Sequence, residues 1–301
     1  MTFMSSVAFA LAIQPDETVQ HGFVRVLGQM AIYARRLTPH GHGTRSEDVH
    51  ETRVWIKRLR ALLWFASPAF SSAELNPLKV HLRNASHLLA IQRDLAAVQT
   101  IVEKLLRTTA NAADRMALVR MADAQKSRQA ITAKPDQSLR QAVAILLATI
   151  KQLREMAEIK FRWPTASDRL AVAFLASEKA GEKALRGRKP AQFHDWRKKA
   201  KRLLYELQLT QAEPGKRMMR IINGVDKLQE KLGEYHDSVM AQDRLREVLP
   251  DQRPPRFVRH SVKLLEKGRR RLRKEVRKIS RNIKSRWNQQ RIVVGGCQQL
   301  G

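Results

Sequence analysis

Two stretches of this chain alternate basic and apolar positions with the period of an α-helix. In the first stretch, residues 49–60, the basic positions fall on one side of the predicted helix and the apolar positions on the other. The basic side carries His50, Arg53, Lys57 and Arg60. The apolar side carries Trp55, Ile56, Leu59, Leu62 and Leu63. The pattern predicts an amphipathic helix that packs on its apolar side and leaves the basic side for solvent or a partner.

The same pattern returns 144 residues further on, in residues 193–205. The positions that match are His50 with His194, Arg53 with Arg197, Lys57 with Lys201, Arg58 with Arg202, and Leu59 with Leu203. The second copy places His194, Arg197, Lys198 and Lys201 opposite Trp196, Leu203 and Leu207. Two helices therefore share a histidine and three cations in register, and this is the strongest indication of function in the sequence.

The remaining segments also show helical periodicity, and we find no alternating, turn-bounded strand pattern. Predicted helices cover 17–37, 46–67, 72–91, a segment around Asp94 that reaches Arg107, 112–131, 137–160, 167–186, 190–213, 216–232, a short stretch to Leu249, and 256–287. Between 216–232 and the short stretch we predict an interruption at Leu232-Gly233-Glu234-Tyr235-His236-Asp237. The predicted fold class is all-α.

A second shared motif extends the repeat. His50 lies 44 residues before Asp94, and His194 lies 43 residues before Asp237. This near-constant spacing predicts two copies of one unit, 1–163 and 164–287, followed by a flexible tail at 288–301. Their economical packing is two antiparallel helical bundles related by a pseudo-twofold axis. We expect Asp94 and Asp237 to be structural, as helix caps or partners of a basic-face cation; a catalytic carboxylate pair is the alternative.

The charge of the chain indicates the kind of partner. There are 57 Lys+Arg against 28 Asp+Glu, a formal net charge of +29. Solubility needs far less, so a polyanion is indicated: nucleic acid, an anionic membrane or a phosphate polymer.

The single cysteine, Cys297, excludes a disulfide framework and suits a reducing compartment, so we predict a cytoplasmic protein. The apolar segment 7–13 lacks the preceding basic residues of a secretory signal.

The basic faces suit a chain of phosphates. Cations three, four and seven residues apart lie about 5–6 Å from one another along a helix. Further cations on neighbouring predicted helices are Lys79 and Arg83 for the first face, Arg220, Lys227 and Lys231 for the second, and Lys263, Lys267 and Arg270 on the C-terminal helix. Aromatic residues are 6% of the chain, and Trp55 and Trp196 lie on the apolar sides, so the faces have little with which to read a base. We see no clear apolar border for a membrane surface.

Several alternatives remain open at this point. Each basic face has an ordinary interpretation as a solvated helix surface, and the C-terminal helix as a solvated basic tail. A nucleic-acid-binding protein is the second functional candidate. A phosphohydrolase or phosphotransfer enzyme, with His50 or His194 accepting a phosphoryl group, is the third. No phosphate-binding loop, paired acidic metal motif or nucleophile elbow is present in the sequence, so we expect no enzyme activity, no metal and no cofactor.

Taken together, these motifs resemble the CHAD family of α-helical domains. The resemblance rests on His50-x-x-Arg53-x-x-x-Lys57-Arg58-Leu59-Arg60, Arg93-Asp94, His194-x-x-Arg197-Lys198-x-x-Lys201-Arg202-x-x-Tyr205, and Leu232-Gly233 with Asp237. It implies two bundles with a basic groove or pore between them, and non-catalytic binding of inorganic polyphosphate, often at polyphosphate granules. The phosphate contacts it implies are His50, Arg53, Lys57, Arg58, Arg60, His194, Arg197, Lys198, Lys201 and Arg202. Ala90-Ile91 and His236 depart from the family pattern. Oligomeric state is not indicated.

Overall fold

The structure is a computed structural model that describes residues 11–14, 16–37, 46–90, 106–107, 115–116, 119, 123, 135–159, 165–211, 214–247 and 256–297. Every regular element in these ranges is helical, which confirms the predicted all-α class. The helices are α1 (Val19–Arg35), α2 (Ser46–Phe65), a 3₁₀ helix (Ser67–Ala69), α3 (Ser72–Leu88), α4 (Pro135–Ile159), α5 (Ala166–Gly187), α6 (Pro190–Thr210), α7 (Lys216–Glu247) and α8 (Arg256–Cys297). Asp94 and most of the predicted helix at 112–131 lie outside the described residues.

Local sequence signals set the helix boundaries that position the second basic motif. α5 begins after Thr165, whose hydroxyl accepts a hydrogen bond from the Asp168 N–H at 3.2 Å. It ends at Gly187, and the next residue, Arg188, adopts a left-handed conformation with φ of 56°. Pro190 then occupies the first turn of α6, where its fixed φ suits a helix and its missing N–H costs nothing. The basic motif therefore starts a new helix immediately after α5.

Two predicted helix boundaries are wrong. α7 runs without a break from Lys216 to Glu247, through the predicted interruption at Gly233. Leu232 and Tyr235 are buried beside this glycine, and their packing outweighs the roughly 1 kcal/mol that a glycine costs in a helix. α8 continues to Cys297, through most of the segment that we predicted to be a flexible tail. Buried Trp287 fixes the preceding turn, and extending an existing helix is favourable once its nucleus is formed.

The chain divides into two compact units, neither of which is one continuous stretch. One unit, here the C-terminal unit, comprises Met1–Gly22, Pro164–Met240 and Leu265–Gly301; the other, here the N-terminal unit, comprises Phe23–Trp163 and Ala241–Leu264. The segments 1–22 and 241–264 thus group differently from the predicted repeats. The pseudo-twofold relation between two bundles stays a prediction.

The C-terminal unit is held together by interlocking aromatic contacts. α5 packs against α6, where Gly181 meets the ring of Trp196. The ring of Phe193 on α6 stacks on Tyr235 of α7, with centroids 4.3 Å apart. Near the N-terminus, the Ile13 N–H donates a hydrogen bond of 2.6 Å to the carbonyl of Leu209 and so caps the end of α6.

The N-terminal unit is built around α2. This helix packs against α3 and α4, which also pack against each other. α1 covers it through two aromatic stacks, Phe23 on Phe65 at 6.5 Å and Tyr33 on Trp55 at 5.3 Å between ring centroids. The apolar side of α2 is therefore committed to the core, as its sequence pattern predicts.

Candidate functional site

The basic face of α6 is set by the burial of its opposite side. Trp196 and Leu207 are fully buried and Leu203 is 2% exposed, so the orientation of the helix is fixed. This orientation turns the predicted basic residues outward. Lys198 is exposed, and His194, Arg197 and Lys201 are half-buried. Their spacing places them along about two turns of one helical side.

α7 contributes a residue to this face that the sequence analysis did not assign to the site. The ring of His236 lies 4.6 Å from the ring of His194, centroid to centroid. One turn earlier, Gly233 lies beside Arg197, because a β-carbon built there would be 3.6 Å from the Arg197 Nε. Each imidazole carries at least one N–H that can donate to an anionic oxygen. The only sequence signal for His236 was its departure from the family pattern.

A buried cluster of ionisable side chains lies on the flank of α6. Arg202 Nε is 3.3 Å from Glu206 Oε1, and Glu206 is fully buried. Arg169 of α5 is 8% exposed and interacts electrostatically with the same carboxylate. Burial lowers the pKa of Arg202 to about 10, against the opposing effect of Glu206. The structure thus places Arg202, a predicted phosphate contact, against the buried carboxyl group of Glu206. The sequence analysis missed Glu206, although its position four residues after Arg202 was visible.

The protonation of Glu206 makes the stability of the folded protein depend on pH. Burial raises its pKa from the ordinary 4.5 to about 8, while Arg202 and Arg169 act in the opposite direction. Between these two pH values the folded protein keeps a proton that the unfolded chain loses. The stabilising contribution of this group is therefore fully present below about pH 4.5 and declines as the pH rises towards 8.

The α2 face shows the same register with different surroundings. His50 and Arg60 are exposed, whereas Arg53, Lys57 and Arg58 are half-buried. Arg53 Nη1 donates a hydrogen bond of 3.2 Å to the carbonyl of Leu89, just after the end of α3, where a cation is electrostatically favoured. The guanidinium of Arg58 lies 5.3 Å from the centroid of the Trp55 ring. Arg53 therefore also joins α2 to the end of α3, and Arg58 contacts a ring on its own helix.

The cations predicted on neighbouring helices occupy exposed positions. Lys79 and Arg83 are exposed on α3, whose other side buries Leu75, Leu78 and Leu82. Lys263, Lys267 and Arg270 are exposed on α8. The predicted structural residue Asp237 is exposed on α7, and its counterpart Asp94 lies outside the described residues.

Three predicted cations on α7 lie at other positions round this helix than His236. Lys227 lies nine residues before His236, which is half a turn round the helix, and Arg220 and Lys231 lie on the same side as Lys227. Lys231 Nζ is 2.6 Å from Glu234 Oε1, and this hydrogen bond raises the pKa of the lysine. Binding of phosphate by these three cations together with the α6 face stays a prediction.

No group of three or more His, Cys, Asp or Glu in the described ranges is arranged to hold a metal ion. None of the described helices combines the length and the apolar character needed to cross a bilayer.

Comparisons with known proteins agree with the fold. The family model described as "CHAD domain" matches residues 29–246. The crystal structure of the CHAD domain from the plant Ricinus communis is similar, with a TM-score of 0.65 and 18% identity over 91% of this chain and 94% of that chain. No curated protein matches the chain. Because the family model covers well over half of its length, the chain belongs to the CHAD domain family.

Proposed function

We propose that this protein binds inorganic polyphosphate without catalysing a reaction, through the basic faces of α2 and α6, in the cytoplasm at polyphosphate granules. The observation that carries the proposal is the α6 face. There, Arg197, Lys198 and Lys201 share one side of a helix whose other side is fixed in the core. Membership of the CHAD family and the net charge of +29 support it.

A phosphate polymer without bases suits this face better than nucleic acid does. Cations about 5–6 Å apart on one helical side match a flexible chain that carries a charge on every unit. Sequence-tolerant binding of single strands relies on exposed aromatic rings that stack on bases. Trp196 is fully buried beneath the α6 face, and Trp55 is 8% exposed beneath the α2 face.

Nucleic-acid binding is the alternative that one observation favours. The solvent side of α8 carries exposed Lys267, Arg270 and Lys274 at helical spacing. Such a stripe attracts any phosphate backbone through counterion release, whatever the bases. Competition separates the two functions: polyphosphate should displace single-stranded DNA, and DNA should not displace polyphosphate.

The decisive experiment measures binding of long-chain polyphosphate and of single-stranded DNA at about 0.3 M salt, which suppresses non-specific attraction. The variant Arg197→Gln/Lys198→Gln/Lys201→Gln removes three charges from the α6 face. We expect polyphosphate to stay bound to the wild type, and the variant to bind at least tenfold more weakly because charge-assisted hydrogen bonds are removed. The salt dependence should also weaken, by a slope of roughly 0.7–0.9 for each phosphate group that the variant no longer neutralises.

A matched control removes the same charge elsewhere. Lys179→Gln/Lys183→Gln/Arg217→Gln takes three exposed cations from α5 and α7. Equal losses of affinity in both variants would mean that net charge alone governs binding, and this result would refute a site on α6. Release of phosphate from polyphosphate in the presence of Mg²⁺ would refute the non-enzymatic part of the proposal.

A further inference from the structure

A cleft of about 610 Å³ lies between α5 and α8 within the C-terminal unit. Close to it, the rings of Phe174 and Trp287 stack with their centroids 4.3 Å apart and hold the two helices together. Its lining is strongly charged. The charged lining residues are Glu178, Glu182, Arg186, Arg277, Arg281 and Lys284. This cleft is built from residues outside the basic faces of α2 and α6.

The lysine of the cleft is already engaged by carboxylates. Lys284 Nζ is in ion-pair contact with Glu178 Oε1, and it lies 3.9 Å from Glu182 Oε1. The hydrogen bond to Glu178 raises the pKa of Lys284, so the ammonium group stays charged at neutral pH. The two carboxylates are thus both directed towards this one cation.

The three arginines are in a different situation. Arg186, Arg277 and Arg281 are exposed, and no carboxylate within the described parts of the chain forms an ion pair with any of them. Three guanidinium groups therefore border one concave space, in which the two carboxylates contact Lys284. Four cations against two carboxylates leave the lining with an excess of positive charge.

We propose that this cleft is a separate anion site that binds a compact oligophosphate, with Arg186, Arg277 and Arg281 as its ligands. The planar guanidinium fork donates two parallel hydrogen bonds to a phosphate group, and arginines on facing helices can grip one ligand from two sides. The volume lies within the range of small-molecule sites. The proposal does not depend on the function of the α2 and α6 faces.

The surroundings of Arg277 indicate how a longer ligand would continue. Lys274 and Arg270 precede it by three and seven residues and are exposed on the same side of α8. A chain whose end occupies the cleft would meet these cations next. The site would therefore accept either a short oligophosphate or the terminus of a long one. Tripolyphosphate tests the first case, and long-chain polyphosphate tests the second.

The test is a calorimetric titration of the full-length protein with tripolyphosphate at about 0.15 M salt. We expect Arg186→Gln/Arg277→Gln/Arg281→Gln to bind at least tenfold more weakly, because charge-assisted hydrogen bonds are removed. The control Lys179→Gln/Lys183→Gln/Arg217→Gln, with the same change in charge, should lose less than threefold. The α6 variant Arg197→Gln/Lys198→Gln/Lys201→Gln should also stay within threefold, which separates this site from the proposed function.

A second variant should raise the affinity for tripolyphosphate, and its substitution lies at an exposed position that the fold does not need. Glu182 is exposed, and Glu182→Gln removes a negative charge from the cleft while Glu178 still holds Lys284. We expect tripolyphosphate to bind about three- to tenfold more tightly, because one repulsive charge is removed. Unchanged or weaker binding by this variant, or equal losses of affinity in the arginine variant and its lysine-rich control, would overturn the proposal. If long-chain polyphosphate binds the cleft but tripolyphosphate does not, the compact-ligand site is refuted.

Discussion

Substitution of Gly181 by alanine tests the packing beneath the α6 face. An ideal β-carbon at Gly181 would lie 2.7 Å from Cε2 and 2.8 Å from Cζ2 of Trp196. Carbon atoms in ordinary contact are about 3.5–4.0 Å apart, so the added methyl group overlaps the indole by about 1 Å. Trp196 is fully buried, so the overlap lies in the packed core.

The expected change in the free energy of unfolding is the sum of two opposing effects. Forcing an extra methyl group into a packed core costs about 1–3 kcal/mol, and the direct overlap with a rigid indole places this site near the upper end. Alanine is better than glycine in a helix by about 1 kcal/mol, which offsets part of that cost. We therefore expect Gly181→Ala to lower the free energy of unfolding by about 2 kcal/mol.

Gly268→Ala is the matched control. Gly268 is also helical and lies in the same unit, but a β-carbon there meets no atom within 4 Å. We expect this variant to gain about 1 kcal/mol from helix propensity alone. Urea unfolding followed by circular dichroism at 222 nm measures both variants. Stabilisation of the same size in both would show that α5 and α6 do not pack at Gly181, and would refute the reasoning.

Three further predictions concern other contacts in the C-terminal unit. The first is Glu206→Gln, which removes a carboxyl group whose pKa burial raises to about 8. Between about pH 5 and 8, we expect the free energy of unfolding of the wild type to fall relative to that of the variant, by at most about 5 kcal/mol. Urea unfolding at several pH values measures this, and a difference independent of pH would contradict it. Gly233→Ala should stabilise α7 by up to about 1 kcal/mol, because a β-carbon there makes only ordinary contacts with Arg197. Destabilisation in the same assay would argue against a continuous helix. Trp287→Ala should cost about 3–5 kcal/mol in thermal or urea unfolding, because its ring is 7% exposed and stacked on Phe174. A cost below about 1 kcal/mol would show that this stack does not hold α5 to α8.

Periodicity was enough to predict most helices and the buried side of each basic motif. The predicted helix at 167–186 corresponds to Ala166–Gly187, because capping and proline signals lie within a few residues of the boundary. Gly233 shows where local reasoning fails. A glycine in isolation favours a break, but the buried neighbours Leu232 and Tyr235 come from tertiary packing, which a local pattern does not encode.

The same distinction applies to the candidate site. Spacing establishes which residues share a side of one helix, so the register of His194, Arg197 and Lys201 could be predicted. It does not establish which side of the next helix faces them. Lys227 lies on the opposite side of α7 from His236, whose ring contacts His194, and the packing of α7 decides which side faces α6. Likewise, Arg202 and Glu206 could be paired from sequence, but their burial with Arg169 requires the contact between α5 and α6.

The interleaved composition of the two units has a consequence for biosynthesis. A nascent chain that ends at residue 163 still lacks 241–264, a segment that supplies the buried Ala241 and Gln242 to the N-terminal unit. The C-terminal unit in turn combines 1–22 with residues beyond 265. Neither unit can complete its core until most of the polypeptide has left the ribosome, and both must close very long chain loops. Folding should therefore be largely post-translational, with amphipathic helices exposed during synthesis and dependent on chaperones for that interval.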